Sequence, residues 1–207
     1  MLLANNIGFK RNNKIILKNI NLSLPPKKII HVSGKNGIGK TTLLKILTNI
    51  LEPEIGEIFW NSKNIKKNPF EFYKNTTFLM DQQTSNNNLT VKENIFFWCK
   101  LFYSKIKPHE IESILEILQL SDYKNNYVNN LSYGEIKKLE LSRLIIEQKK
   151  LWILDEPYIG LDNSSIDLIN ETIINHIELG GMTILTSHIS PKIPNLEYFN
   201  LDNYANS

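Results

Sequence analysis

The sequence predicts an α/β fold in which a buried parallel sheet is flanked by helices. Residues 29–32 and 151–154 are apolar runs bounded by polar residues, as expected of strands that are buried on both faces of a parallel sheet. Residues 111–118 place apolar side chains at i, i+3, i+4 and i+7, which predicts an amphipathic helix. The chain has 207 residues, 42% of them hydrophobic, and this suffices for one α/β domain with a substantial core.

A change of pattern divides the chain into two kinds of segment. Residues 1 to about 85 and about 150 to 202 are typical of short strands with turns, whereas about 90 to 147 are typical of helices. The sequence has no internal repeat and no linker rich in Pro, Gly or Ser. The pattern therefore predicts one domain over 1–207, with a helical subdomain inserted at about 90–147.

The composition excludes several classes of protein. The net charge is only +3 and Lys and Arg are spread along the chain, so nothing indicates a nucleic-acid partner. The single Cys99 excludes an intramolecular disulfide and fits a reducing compartment, and without a nearby Cys or His at metal-ligand spacing we expect it in the core. No apolar run reaches the roughly 18 to 20 residues that span a bilayer, which predicts a soluble or peripheral protein.

The strongest motif follows the first buried strand. Residues 34–41, Gly-Lys-Asn-Gly-Ile-Gly-Lys-Thr, match the phosphate-binding pattern GxxxxGK[ST] between a predicted strand and a predicted helix. Glycines let the backbone curl so that N–H groups point at phosphate oxygens, and the helix presents the positive end of its dipole, about half a unit charge. Lys40 is expected to neutralise the β- and γ-phosphates and Thr41 to ligate Mg²⁺, unless the match is a chance Gly-rich turn. The predicted nucleotide-binding residues of the loop are Gly34, Lys35, Asn36, Gly37, Ile38, Gly39, Lys40, Thr41 and Thr42.

Two carboxylates end the second buried strand, in the segment Leu-Trp-Ile-Leu-Asp-Glu-Pro. Asp155 is placed to hold Mg²⁺ through water, and Glu156 projects differently, so it is a candidate general base for an attacking water. A solvated turn is the alternative interpretation. Ligands of parallel sheets bind at the carboxyl ends of the strands, and both the predicted phosphate loop and these carboxylates follow such ends. The presence of the phosphate loop therefore favours the catalytic interpretation of Asp155 and Glu156.

A histidine follows a third predicted strand. A Gly-Gly pair ends a helix predicted over 164–178, and an apolar segment then leads to His188. An imidazole at this carboxyl end can hydrogen-bond the γ-phosphate or the attacking water, and the alternative is a surface-loop histidine. His31 lies in the middle of its strand, and we expect it to be a packed core residue.

Two further segments have more than one interpretation. The sequence Leu-Ser-Tyr-Gly-Glu at 131–135 is a helix start or half of an active site: Ser132 and Glu135 form a capping-box pattern, and a capped helix start is also a positive dipole end that suits a phosphate. The aromatic residues 96–98 mark an apolar helix that packs in the core or docks a partner, and core packing is the default.

The segments GKNGIGKT, LSYGE, LWILDEP and TSH occur in the order and approximate spacing of the ATP-binding cassette ATPases, which the chain resembles over essentially its whole length. The resemblance implies a P-loop NTPase cassette with a mixed sheet core, an antiparallel β subdomain and an inserted α-helical subdomain. It implies ATP and Mg²⁺ as cofactors. It also implies a homodimer that holds ATP between the Lys40 loop of one subunit and the Ser132–Gly134 helix start of the other. Binding closes the pair and hydrolysis opens it.

The resemblance further implies roles for individual residues. Gln82 resembles the glutamine that senses metal and water and links to the transmembrane partner, and Phe9 stands where an aromatic ring stacks on adenine. The segment Gly160-Leu161-Asp162 resembles the loop that touches the opposite subunit. The implied roles are catalysis for Glu156, His188 and Gln82, metal binding for Thr41, Gln82 and Asp155, dimer contact for Asp162, and contact with the opposite subunit's ATP for Ser132, Gly134 and Glu135.

A narrower resemblance is to the ATP-binding subunits of the bacterial cytochrome c maturation (haem) exporter, and the short chain with its LWILDEP and GGMTILTSH segments carries it. It implies a peripheral ATPase on the cytoplasmic face of the inner membrane, whose partners are integral membrane permease subunits that handle haem. In that family a small residue and Gln are usual at the positions of Tyr133 and Glu135.

Other ATPases with the same motifs are the alternatives. Those of DNA repair carry long coiled coils and those of translation two cassettes, neither of which fits one set of motifs in 207 residues. A non-hydrolysing regulatory module commonly lacks the base or the switch residue, whereas Glu156 and His188 are both present. An ABC transporter subunit for another small-molecule cargo stays open as the second interpretation.

Overall fold

The computed structural model describes residues 1–204, and its strands form two separate sheets. In chain order the strands are β1 (Leu2–Arg11), β2 (Lys14–Leu24), β3 (Lys28–Ser33), β4 (Ile55–Trp60), β5 (Lys63–Asn64), β6 (Thr76–Leu79), β7 (Leu151–Leu154), β8 (Met182–Thr186) and β9 (Glu197–Asn200). Five of them form a parallel sheet in the order β6-β7-β8-β3-β9, and four form an antiparallel sheet in the order β2-β1-β4-β5. The expected combination of parallel and antiparallel strands is therefore present, with each kind in its own sheet.

Helices cover the sheets and fill the stretch between β6 and β7. They are α1 (Lys40–Leu47), α2 (Pro69–Lys74), α3 (Val91–Leu101), α4 (Ile111–Ile117), α5 (Tyr133–Glu147) and α6 (Asn163–Glu178). α3, α4 and α5 follow one another without an intervening strand. Apolar side chains of α3, α4 and part of α5 form one core cluster, and Leu141 and Leu144 of α5 pack instead with the parallel sheet. On α4 the first of these clusters takes up Ile111, Ile114 and Leu115, as the spacing predicts.

The strands that were predicted from apolar runs lie at the centre of the parallel sheet. All residues of β7 and of β8 are buried, and β3 is buried except at its two ends. β3, β7 and β8 pair side by side in parallel. Their carboxyl ends, at Ser33, Leu154 and Thr186, therefore meet at one edge of the sheet, which is where ligands of such sheets bind.

The aromatic residues of α3 divide between core and surface. Trp98 is 3% exposed and Cys99 is also buried, but Phe96 and Phe97 are 40% and 50% exposed. Because successive residues of a helix turn by about 100°, three consecutive aromatic rings cannot all face the same core. Core packing is thus right for Trp98 and wrong for the other two rings. Between residues 1 and 204, no helix combines the length and the apolar character needed to cross a membrane.

Candidate active site

Residues 34–39 form the loop between β3 and α1, and Lys40 and Thr41 are the first residues of the helix. Gly39 precedes the helix with φ 115°, a conformation that favours glycine. A Cβ atom at this position would lie 2.9 Å from Cγ2 of Ile16, so the close approach of β2 also requires glycine. In the described part of the chain no side chain caps the start of α1. Its first N–H groups are therefore free to bind an anion.

The ammonium group of Lys40 is folded into this loop. Nζ donates a hydrogen bond to the carbonyl oxygen of Gly34 at 2.8 Å and a longer one to that of Lys35 at 3.4 Å. The Lys35 amide in turn donates to Oδ1 of Asp202, a residue that no sequence signal indicated. A phosphate in the loop would offer Lys40 stronger, charge-assisted hydrogen bonds than these carbonyls do.

Asp155 and Glu156 follow β7, and a threonine from the neighbouring strand holds both. The Thr186 hydroxyl donates to Oδ1 of Asp155 at 2.7 Å and accepts from the Glu156 amide at 2.9 Å. Asp155 is 5% exposed, so this hydrogen bond orients a nearly buried carboxylate. Glu156 has φ 50°, a left-handed backbone conformation that residues other than glycine rarely adopt. Sequence reasoning missed Thr186, although it stands two residues before His188 at a strand end.

His188 meets the Glu156 carboxylate from the loop after β8. Its Nε2 lies 3.3 Å from Oε1 of Glu156 without a well-directed hydrogen bond, and its amide donates to Oε2 at 3.2 Å. Burial raises the pKa of Glu156, and the nearby His188 and Lys40 only partly oppose this effect. The structure therefore brings Asp155, Glu156 and His188 together, beside the strand that carries the Lys40 loop.

Gln82 and Phe9 lie on elements next to those that carry this cluster and the phosphate loop. Gln82 follows the end of β6 by three residues and is exposed, and β6 is the neighbour of β7. Phe9 is half-buried in β1 and faces Leu17 of β2 in the register of the antiparallel sheet. Leu17 also lies next to Gly39, because its Cδ2 is 3.3 Å from a Cβ built there. Phe9 thus belongs to the sheet that packs on the phosphate loop, and it also packs against the main core.

His31 is buried, as predicted, and it connects β3 to the segment before His188. Its Nε2 lies 3.0 Å from the carbonyl oxygen of Ser187, and its ring packs against Tyr198. Burial lowers the pKa of His31 and so favours the neutral ring, in which Nε2 must carry the proton if it is to donate to this carbonyl.

The segment 131–135 begins α5 with the predicted capping box. The Ser132 hydroxyl accepts a hydrogen bond from the Glu135 amide at 3.3 Å, and Oε2 of Glu135 accepts one from the Ser132 amide at 2.7 Å. Burial raises the pKa of Glu135, but hydrogen bonds from Ser132 and Tyr123 outweigh it and lower the pKa overall. A Cβ on Gly134 would lie 2.8 Å from the carbonyl oxygen of Gly160, so the helix start packs directly on the loop after β7.

Asp162 shares a cavity with this helix start. It caps α6 by accepting hydrogen bonds from the Ser165 amide and the Ser164 hydroxyl, and bonds to these two serines lower its pKa to about 2. The open cavity has a volume of about 720 Å³, and Ser132, Gly134, Glu135 and Asp162 are among the residues that line it. None of the described residues 34–42 lines it. Within one chain, residues 34–42 and the helix-start residues Ser132, Gly134 and Glu135 therefore do not line the same cavity.

Comparisons with proteins of known structure show the same fold. An ABC transporter ATP-binding protein from Pyrococcus furiosus superposes with a TM-score of 0.86 at 25% sequence identity, over 99% of each chain. The ATP-binding cassette MJ0796, in a dimeric post-hydrolysis state bound to ADP and Pi, superposes with a TM-score of 0.79 over 91% of this chain and 88% of that chain. Its sequence identity is 20%, so this second likeness is evidence of the fold alone.

Sequence comparisons define the family. The family model described as ABC transporter matches residues 17–159. The cytochrome c biogenesis ATP-binding export protein CcmA of Reclinomonas americana is 37% identical over 190 residues, which cover 90% of this chain and 84% of that protein. The protein of the same name from Dechloromonas aromatica is 31% identical, over 94% of this chain and 95% of its own length. The chain therefore belongs to the ABC transporter family and, within it, is similar to the CcmA proteins of cytochrome c biogenesis.

Proposed function

We propose that the chain is the ATP-hydrolysing subunit of an ABC transporter complex that exports haem for cytochrome c maturation. One observation supports the proposed hydrolysis of ATP. Asp155, Glu156 and His188 lie together at the end of β7 and β8, next to the strand that leads into the Lys40 loop. A desolvated carboxylate beside an imidazole suits a general base for water, a role that typically contributes about 10² to 10⁴ in rate.

The loop residues 34–42 hold the phosphates of ATP in this proposal, and Phe9 stacks on the adenine ring. Lys40 leaves the loop carbonyls for the β- and γ-phosphates, and the open N–H groups of α1 add further donors. Glu156 takes a proton from the attacking water. His188 keeps the Glu156 carboxylate in place through its amide and offers its ring to the γ-phosphate.

The donors available for a metal ion suit Mg²⁺. Thr41, Gln82 and Asp155 offer a hydroxyl, an amide carbonyl and a carboxylate, which are the hard oxygen ligands that Mg²⁺ prefers. Mg²⁺ keeps several waters and binds substrate phosphates, so it needs few protein ligands. Among residues 1–204 no cluster of three or more His, Cys, Asp or Glu side chains forms a metal cage, which agrees with such a site. Bound there, Mg²⁺ would neutralise charge on the β- and γ-phosphates.

The working unit we propose is a homodimer of cassettes. Ser132, Gly134 and Glu135 line a cavity that residues 34–42 do not reach, and Asp162 lies on the same cavity. A second copy that turned its Lys40 loop toward this cavity would place ATP at the positive end of α5. Binding then closes the pair, and hydrolysis opens it.

The chain is proposed to act at the cytoplasmic face of the bacterial inner membrane, bound to integral membrane permease subunits. Its CcmA relatives are cytochrome c biogenesis ATP-binding export proteins by name, and haem as the cargo follows from the resemblance to the exporter family. Residues 1–207 form one cassette in this proposal. Gln82 and the helices between about 90 and 147 transmit the closure to the permease.

Lys40→Ala tests the nucleotide site, with Lys45→Ala in the last turn of the same helix as the matched control. ATP affinity is measured by equilibrium dialysis, and phosphate release is followed with and without Mg²⁺. The loss of charged hydrogen bonds to phosphate is expected to weaken ATP binding about tenfold to a hundredfold in Lys40→Ala alone. Unchanged affinity in that variant contradicts the phosphate loop.

Purification of the tagged chain from bacterial membranes tests the transport system. Membrane partners that bind haem, identified by mass spectrometry and by the haem absorption spectrum, are the expected result. Stable membrane partners that handle a different substrate would overturn the haem assignment while leaving the ATPase intact.

A further inference from the structure

Tyr133 contacts two loops at once. Its hydroxyl donates to Oδ1 of Asp81 at 3.1 Å. Its ring covers Gly160 so closely that a Cβ built on Gly160 would lie 2.2 Å from Cδ1 of the ring. The two contacts involve different ends of the side chain, so one substitution can remove the first and keep the second.

The two loops are those that carry the predicted Gln82 and Glu156. Asp81 directly precedes Gln82 in the loop after β6, and Gly160 follows Glu156 by four residues in the loop after β7. β6 and β7 are neighbours in the parallel sheet, with Leu79 paired to Leu154. Tyr133 therefore ties together two segments that extend from adjacent strand ends.

Tyr133 belongs to a row of α5 side chains that hold the loop after β6. Lys137 places Nζ 3.3 Å from the same Oδ1 of Asp81, and Glu140 accepts hydrogen bonds from the amides of Thr84 and Ser85 at 2.8 and 2.7 Å. Positions 133, 137 and 140 share one face of a helix because they are spaced i, i+4 and i+7. Tyr133 also contacts the loop after β7, through Gly160.

We propose that Tyr133 is a positioning residue that sets the place of Gln82 relative to Glu156, by joining Asp81 and Gly160 through the start of α5. The inference rests on the proposed ATPase function, in which Gln82 and Glu156 must both be correctly placed at the bound nucleotide. Without the Tyr133 hydroxyl, Asp81 keeps the contact with Lys137, but the start of the loop after β6 loses its connection to Gly160.

Tyr133→Phe is the test, because it keeps the ring on Gly160 and removes only the bond to Asp81. Tyr103→Phe is the control, since Tyr103 is 93% exposed and lies outside both loops. In steady-state hydrolysis we expect Tyr133→Phe to lower kcat about threefold to tenfold, the effect of one lost hydrogen bond, and to change KM for ATP less than about twofold. The control is expected to match the unmodified chain.

A double-mutant cycle with Asp81→Ala, which removes the acceptor of the Tyr133 hydroxyl, separates this role from a direct contact with the partner's nucleotide. If Tyr133 acts through Asp81, the double variant is no slower than the slower single variant. A side chain that acted only on the partner's ATP would lower kcat by the same factor with or without Asp81. The proposal is overturned if the factors by which the two single substitutions lower kcat multiply in the double variant, or if kcat is unchanged in Tyr133→Phe.

NMR relaxation of backbone amides provides a readout that does not depend on hydrolysis. The order parameters of amides 81–83 are expected to fall in Tyr133→Phe, whereas those of Thr84 and Ser85, whose amides donate to Glu140, are expected to stay the same. Equal order parameters at 81–83 in both chains would refute the positioning role. If the unmodified chain binds and hydrolyses no ATP, the proposed function fails, but this relaxation experiment still decides whether Tyr133 holds the loop.

Discussion

Nε2 of His188 lies 3.3 Å from Oε1 of Glu156, and the His188 amide donates a hydrogen bond to the other carboxylate oxygen at 3.2 Å. The two side chains differ in exposure, 53% for His188 and 12% for Glu156. The imidazole thus lies at the surface of the site while the carboxylate lies within it. A nearly buried carboxylate that is fixed by a backbone amide has a defined direction in which to accept a proton.

Glu156→Gln is expected to abolish turnover without abolishing ATP binding. The amide keeps the size of the side chain but cannot accept a proton from water, so we expect phosphate release to fall about 10² to 10⁴-fold. ATP affinity, measured by equilibrium dialysis, is expected to stay within a few-fold, and the variant is expected to elute as an ATP-dependent dimer in size-exclusion chromatography. Near-normal phosphate release would remove Glu156 from the mechanism.

The stability of the nucleotide-free chain should depend on pH through Glu156. Burial raises its pKa above the ordinary carboxyl value, so between the two values the folded chain binds more protons than the unfolded chain. Folding stability from this group therefore falls as pH rises through that window, and at neutral pH the ionised carboxylate destabilises the fold. Thermal unfolding should show Glu156→Gln to be more stable than the unmodified chain at pH 8. The difference should shrink toward pH 5. An equal difference at both pH values contradicts the raised pKa.

Asp155, Glu156 and His188 could be predicted because each follows a buried strand, and the carboxyl ends of neighbouring parallel strands lie at the same edge of the sheet. The same reasoning could not find Thr186, whose role depends on which strand lies beside β7, and a single sequence does not state the strand order. Nor could it find the contact of Tyr133 with Gly160, which depends on the path of two loops in three dimensions.

Thr186→Val should damage both the fold and the site. Valine keeps the shape but leaves the Asp155 carboxylate and the Glu156 amide without the hydroxyl that joins them, a loss of about 1 to 3 kcal/mol of unfolding free energy. Because Asp155 and Glu156 are then less well positioned, we expect turnover to fall about tenfold or more. Urea unfolding and phosphate release measure the two effects.

Thr183→Val is the matched control for this prediction. Thr183 is also fully buried in β8, but its hydroxyl has no hydrogen-bond partner among residues 1–204. Removing an unpaired buried hydroxyl is expected to be neutral or stabilising, with turnover unchanged. If both variants lose similar stability, the hydrogen bonds of Thr186 are not the cause.

Ser132→Ala and Thr90→Ala separate the two roles of a capped helix start. Both residues form a complete capping box, Ser132 at α5 and Thr90 at α3, and only Ser132 lines the cavity with Asp162. Each substitution is expected to cost about 1 kcal/mol and to lower the unfolding midpoint by about 2 to 4 °C. In the Glu156→Gln background, however, only Ser132→Ala should weaken ATP-dependent dimerisation in size-exclusion chromatography, because only this hydroxyl would face the partner's phosphate. Equal dimerisation of the two variants would mean that Ser132 acts as a helix cap and nothing more.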